Sequence, residues 1–421
     1  MFDFMNNLIV YLNAERVGVL EQDDTGLLRF TYDAAWTGRP GAEPLSHSLP
    51  LQGDAFTGKK ARAFFAGILP EEGPRKQIAK ILGISDTNDF AMLEKIGGEC
   101  AGAVSLLPEG MSPPSSQAEH RELTDRELQD IVADLPRHPL MAGAEGLRLL
   151  LAGVQDKLPV IAHGTSISLP LGGTPSTHIL KPEPDRFPGL AANELFCMTL
   201  ARTAGLNVPD IEYRMIGEKP CILVQRSDRK ADEAGNTVRI HQEDFCQALG
   251  FPPERKYQAE GGPMLRDCIS LLREWSTAPV LDIPAFVGGL IFNVLIGNAD
   301  AHAKNFSLLY EGGDRRLCPF YDLVSTVVWP ELTTNPAMKI GNCKSINVFS
   351  IAEWKKMAQE CGLGWPVLRE KLAEMSEAVL GHLDAVHSQT ASVSEDFAKK
   401  LSEVMQDRAA KMLDALSRQP C

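Results

Sequence analysis

The chain has 421 residues, 44% of them apolar and 23% charged, with a formal net charge of −13. The length predicts two or three domains, and the composition is that of a globular chain rather than a disordered one. The acidic balance argues against a broad nucleic-acid-binding face, so any phosphate site has to be a compact local pocket.

The opening stretch "MFDFMNNLIVYLNAERVG" lacks a basic leader and reads as a strand rather than a signal peptide. Residues 8 to 32 alternate short β-prone runs with polar turns such as "QDDTG", which predicts a small antiparallel meander. Helical spacing takes over from 57 to 82, and "GGECAGAVSLLPEG" returns to a strand. Next, "MSPPSSQAEHRELTD" has the Pro, Ser and charge content of a linker or surface loop. A boundary near residue 135 follows, with parts at 1–135, 136–235 and 236–421. From about 147 to 228 the chain reads as strands and turns ("RLLLAGVQDKLPVIA", "SISLPLGG", "THILKPEP", "CILVQRSDR"), interrupted by the helix "AANELFCMTLARTAG". Beyond 240 the patterns are mostly helical, from "QEDFCQALG" and "MLRDCISLLREW" through "IPAFVGGLIFNVLIG" to amphipathic stretches from 351 to 417. The layout is a β-rich lobe followed by a helical one. No stretch approaches the ~20 apolar residues of a membrane span. The nine Cys form no C-x-x-C pair and are odd in number, which fits neither a zinc site nor a disulfide framework. A reducing, cytoplasmic setting is expected.

The chemistry concentrates where the apolar helix ends, in "NADAHAKNF". Asp300 and Asn305 have the spacing D-x-x-x-x-N, which in protein kinases supplies a catalytic base and a magnesium ligand from one loop. Asn and Asp at a helix end also serve as ordinary caps, and on this stretch alone that reading stays open. The following "FSLLYEGGDRRLCPFYDL" reads as a hairpin ending on Asp322. Asn305 and Asp322 offer the hard oxygen donors that magnesium takes, with the rest of its shell coming from phosphate and water. Asp300 then accepts the proton of an attacking hydroxyl. Lys181 in "THILKPEP" is placed to meet nucleotide phosphates or, more plainly, to sit at the surface. Glu194, on the next helix, is a candidate partner for it. In "LLLAGVQDKLPV" a glycine turn at Gly153 with Gln155 and Lys157 could cover phosphates. His302 taken alone is more simply a hydrogen-bonded structural residue.

The ordered set of motifs resembles the HipA-type serine/threonine kinases of bacterial toxin-antitoxin systems. The resemblance runs from "SHSLPLQG" and "IGGECAGAVSLLPE" through "LAGVQDK", "STHILKPEP", "KYQAEGGP", "IGNADAHAKNFSLLY" and "PFYDLVST". It implies an α+β, two-lobed kinase fold of the phosphoinositide 3-kinase-like type, with an extra N-terminal β-containing subdomain and a mostly helical C-terminal lobe. It further implies ATP and Mg2+, phosphorylation of a serine on a protein such as glutamyl-tRNA synthetase, and a helix-turn-helix, HipB-like antitoxin that carries operator DNA. No membrane is expected. By position, the resemblance makes Ala152, Gly153, Val154, Gln155, Asp156 and Lys157 the phosphate-covering loop and Lys181 the nucleotide lysine. Gln225, Arg226 and Ser227 become the hinge at adenine, and Asp300 the base. Asn305 and Asp322 become the metal ligands, with His302, Lys304 and Tyr321 close to the nucleotide.

Two departures stand out. The hinge differs from the commoner Glu-Arg-Phe, and Leu150 replaces a serine at which many members autophosphorylate and lose activity. Ser166, Ser168, Thr174, Ser176 and Thr177 are the nearby hydroxyls that could take that role. A small-molecule or lipid kinase and a catalytically silent corepressor remain as alternatives.

Overall fold

A computed structural model describes residues 6–111, 113, 119–348 and 350–418. They form two compact units. The first draws on the chain up to Pro182, on Arg214–Pro253 and on Leu308–Asp314; the second on Glu183–Tyr213, Glu254–Ser307 and the chain from Arg315 onward.

Unit 1 opens with β1 (Asn6–Leu12), β2 (Glu15–Gln22) and β3 (Leu28–Tyr32), the expected meander. After α1 (Ala34–Thr37) come β4 (Phe56–Thr57), α2 (Lys59–Gly67), α3 (Glu72–Leu82), α4 (Asp89–Ile96) and β5 (Val104–Pro108). The sheet order is β4-β3-β2-β1-β5. Strand alternation drives it: Leu28, Phe30 and Tyr32 point inward on β3, and the Phe30 ring lies 4.7 Å from Tyr32 and 5.2 Å from Phe65 of α2. A second sheet follows, from β6 (Glu119–Glu122), β7 (Leu158–His163), β8 (Ser166–Leu171), β9 (His178–Pro182), β10 (Ile211–Ile216) and β11 (Lys219–Gln225). Its order is β10-β11-β9-β7-β8-β6. Between β6 and β7 lies α5 (Asp125–Asp134), started by a Thr124–Glu127 capping box. The short strands β12 (Arg229–Ala231), β13 (Thr237–Arg239) and β14 (His241–Asp244) lead into α7 (Phe245–Leu249).

Unit 2 is helical. It contains α6 (Leu190–Thr203), α8 (Leu265–Trp275), α9 (Pro279–Ile296), α10 (Ile351–Glu360), α11 (Trp365–Thr390) and α12 (Glu395–Ser417). β15 (Ser307–Glu311) and β16 (Asp314–Leu317) form the hairpin at which the chain passes from one unit's residues to the other's.

Four expectations are corrected. The linker stretch contains strand β6, whose four residues are all exposed. It adds to the edge of β8 by backbone pairing alone, Glu119 opposite Leu171, so no alternation of side chains announced it. "RLLLAG" forms only an isolated bridge between Leu149 and Glu99 rather than a strand. The hairpin stops at Leu317, so Asp322 stands in irregular chain beyond it. Finally, α9 is long and apolar enough to span a membrane, with 18 residues at mean hydropathy 1.9, but 67% of it is buried and it forms the core of unit 2.

Candidate active site

The site in unit 2 begins with how α9 stops. Gly297 takes φ 74°, the left-handed cap a side chain disfavours, and its N–H returns to the last turn. Arg408 of α12 donates to the Val294 carbonyl at 2.7 and 3.0 Å, reinforcing an acceptor that the Gly297 N–H reaches at 3.1 Å. Asn298 does the capping that the sequence left open as an explanation for the whole cluster. Its Nδ2 donates to Asn293 Oδ1 at 2.8 Å, and its Oδ1 accepts from the Asp300 N–H at 3.1 Å. Ala299 is clamped on both sides, by Thr326 Oγ1 on its N–H and by the Ala337 N–H on its carbonyl, each at 2.8 Å.

This scaffold leaves the Asp300 carboxylate exposed, and its Oδ1 accepts the Tyr257 hydroxyl at 2.8 Å. The chain then folds back: the His302 N–H donates to the Asp300 carbonyl at 2.7 Å, and the Asn305 N–H to the His302 carbonyl at 2.9 Å. Asn305 Nδ2 also donates to the Asp300 carbonyl, at 3.2 Å, which turns the amide oxygen the other way. His302 and Lys304 are buried, and the His302 ring meets Tyr257 edge-on at 5.4 Å.

The Asp322 loop is tied to the Asn305 loop. Tyr321 donates its hydroxyl to the Lys304 carbonyl at 2.8 Å and shares a 2.6 Å hydrogen bond with Ser307 Oγ. Asp322 itself is half-buried at φ 54°, a left-handed conformation uncommon outside glycine and met at functional sites. Among the described residues no three His, Cys, Asp or Glu gather into a metal cage. The donors available here are one amide oxygen and one carboxylate, a set that suits magnesium completed by phosphate and water, and not zinc.

Unit 1 places the remaining expected residues. Gly153 has φ 110°, its carbonyl accepts the Glu71 N–H at 3.1 Å, and Lys157 Nζ donates to the Ala152 carbonyl at 2.8 Å. Within this loop Val154 is exposed and Gln155 half-buried, while burial pushes the Asp156 carboxyl up from its ordinary range against the pull of Lys157 and Lys219. Lys181, opposite Ile222 in the β9–β11 pair, is buried, which removes the surface-lysine reading. Glu194 on α6 of unit 2 is buried too. Gln225 ends β11 exposed, and Ser227 is half-buried.

Arg226 faces elsewhere. Its N–H goes to the Thr177 carbonyl at 2.9 Å and its guanidinium is sunk among Glu99, Asp228, Ser176 Oγ and the Cys100 carbonyl. Arg229 joins through Glu99 at 2.7 Å. Burial alone would raise the Glu99 and Asp228 carboxyls, but the guanidinium groups beside them hold both below the usual range. The Arg226 side chain is therefore part of a buried ion cluster and not of an adenine-facing surface. Sequence reasoning missed this cluster, because Glu99 and Arg226 are 127 positions apart. It also gives no role to Tyr257, which lies in the "KYQAEGGP" motif.

Residues 8–107 match the HipA N-terminal domain family, and residues 149–385 match the HipA-like C-terminal domain family. The chain is 42% identical over 396 residues to the protein Y4mE of Sinorhizobium fredii, covering 93% of this chain and 94% of that one. It is 32% identical over 373 residues to the serine/threonine-protein kinase toxin HipA of Shewanella oneidensis, covering 85% and 84%. The solved structure of the Shewanella oneidensis HipA, HipB and operator DNA complex contains a chain that superposes with a TM-score of 0.85 at 27% identity, covering 97% of this chain and 98% of that one.

Proposed function

The chain belongs to the HipA family of serine/threonine protein kinases, and from that premise we propose that it transfers the γ-phosphate of ATP to a serine of a cellular protein. The observation that carries the site assignment is the exposed Asp300 carboxylate on a loop tied to Asn305 and, through Tyr321, to Asp322. In the reaction the serine oxygen bonds to the γ-phosphorus as the bond to the ADP oxygen breaks. Asp300 accepts the serine proton. Asn305 and Asp322 hold Mg2+, which when bound neutralises charge on the phosphates. Lys181 and the backbone of residues 152–157 bind phosphate oxygens, with Gln225 and Ser227 at the base. Little covalent chemistry falls to the protein, so positioning and charge supply most of the rate.

The cytoplasmic substrate we favour is an aminoacyl-tRNA synthetase such as glutamyl-tRNA synthetase. The Shewanella complex, in which HipA sits with HipB and operator DNA, supports a helix-turn-helix antitoxin as partner, through which DNA is mainly reached. Parts at 1–135, 136–235 and 236–421 remain our division of the chain.

The test combines labelled ATP, Mg2+ and cell extract with the purified chain. Wild type labels a protein that mass spectrometry identifies. Asp300→Asn loses labelling but keeps MgATP affinity, whereas Asp322→Asn loses both. Full labelling by Asp300→Asn refutes the assignment of the base.

A further inference from the structure

We infer that Tyr257 is a positioning residue for phosphoryl transfer: its hydroxyl holds the Asp300 carboxylate in the orientation that accepts the substrate proton. This rests on the reading of Asp300 as the base and goes beyond it by assigning the group that orients that base.

Asp300 is an exposed side chain. A free carboxylate rotates between orientations, and a base that must meet a hydroxyl within hydrogen-bond reach loses rate for every orientation that faces away. The Tyr257 hydroxyl donates to Oδ1 at 2.8 Å, which fixes the plane of the carboxylate and leaves Oδ2 as the proton acceptor. The donor is itself held in place. The Tyr257 carbonyl accepts the N–H groups of Glu260 and Gly262, each at 3.0 Å. The next residue, Gln258, donates its N–H to the Ala337 carbonyl at 3.0 Å and accepts the Lys339 N–H on Oε1 at 2.7 Å. Ala337 in turn donates to the carbonyl of Ala299, the residue before Asp300. The tyrosine and the aspartate are thus fastened to one backbone frame. The ring adds an edge-on contact with His302, so the phenol is held from the side as well.

An anchored neutral donor suits this task better than a cation. Lys or Arg at the same place would neutralise the carboxylate and weaken it as a base more strongly. The hydroxyl also sits where a phosphoacceptor hydroxyl approaches a kinase base, so occupancy of the site by Tyr257 as a pseudosubstrate is the rival that the experiment separates.

The experiment uses the full chain with MgATP and dephosphorylated casein as acceptor probe. Tyr257→Phe removes only the hydroxyl and keeps the ring against His302. The expected result is a kcat lower by about tenfold or more, the scale of one hydrogen bond to a charged group, with the KM for ATP changed less than about twofold. A merely structural role would instead lower the Tm or raise the KM for ATP together with the fall in kcat. An unchanged kcat overturns the inference, as does a rise in kcat, which marks a pseudosubstrate. Asp300→Asn run alongside separates the two levels. If it is inactive while Tyr257→Phe behaves as wild type, only the positioning role fails; if it is active, the base assignment fails first.

Discussion

At the scale of single residues, the structure changes what Leu150 means. Its side chain is fully buried in the core of unit 1 and its N–H donates to the Glu99 carbonyl at 2.9 Å, so the position is held by packing. Of the nearby hydroxyls, Ser168, Thr174 and Ser176 are buried, and Thr177 is engaged with His178 and the Ala162 N–H. Ser166 is the exposed one among the five. A second residue-scale feature is the pair of buried titratable groups on β14. Glu243 accepts from Ser46 Oγ at 2.5 Å, from the His47 N–H at 3.0 Å and from the Tyr310 hydroxyl, and burial pushes its carboxyl up to about 7. Burial pulls His241, two residues away, down to about 4. The raised carboxyl contributes stability that is present below about 4.5 and lost as pH rises through about 7. The depressed imidazole contributes stability that is present above about 6.5 and lost as pH falls through about 4. The two oppose one another across the acidic range and flatten the profile. Glu243→Gln removes one of them, so whatever its absolute Tm, its stability should fall more steeply than that of wild type between pH 7 and pH 5. Thermal melts across that range check this, and parallel curves would contradict it.

At the scale of elements, the functional loops hang on rigid neighbours. The turn after α9 is fixed by Gly297, Asn298 and Arg408 before the first chemical residue is reached. The loop at 152–157 is fixed by the bridge from Pro70 to Gly153 and by Lys157 closing on the Ala152 carbonyl. Gly153 is the weak point for substitution. At φ 110° any side chain is strained, and a Cβ there would stand 2.6 Å from Lys157 Nζ, so the closing hydrogen bond must yield. Backbone strain of this kind amounts to about 1–3 kcal/mol. Gly153→Ala should therefore weaken MgATP binding by roughly tenfold, with strands β7 to β9 intact by circular dichroism. Unchanged affinity in nucleotide titrations would remove the loop from the phosphate site.

At the scale of the whole molecule, charge decides the partner. With a net charge of −13 the chain repels the DNA backbone, and counterion release offers it little without a local basic face. The purified chain alone should leave an operator duplex unshifted at physiological salt, and the shift should appear when the helix-turn-helix antitoxin proposed as its partner is added. A mobility-shift assay measures both, and salt-sensitive binding by the chain alone would overturn the expectation.

The sequence by itself determined what local patterns encode. The β-rich and helical parts, the meander, the long helices and the spacing of Asp300, Asn305 and Asp322 were all legible, because period-two and period-3.6 patterns and turn residues act over a few neighbours. The edge strand β6 was not, since an exposed strand that pairs only through its backbone leaves no side-chain period. Only the tertiary structure decided that Asn298 caps while Asp300 stays open, that Arg226 belongs to an ion cluster with Glu99 and Asp228, and that Tyr257 reaches Asp300. Each of those depends on side chains or turns brought together by the fold. A buried charge or an exposed carboxylate takes its partner from whatever the folded chain sets beside it, and sequence distance carries no trace of that choice.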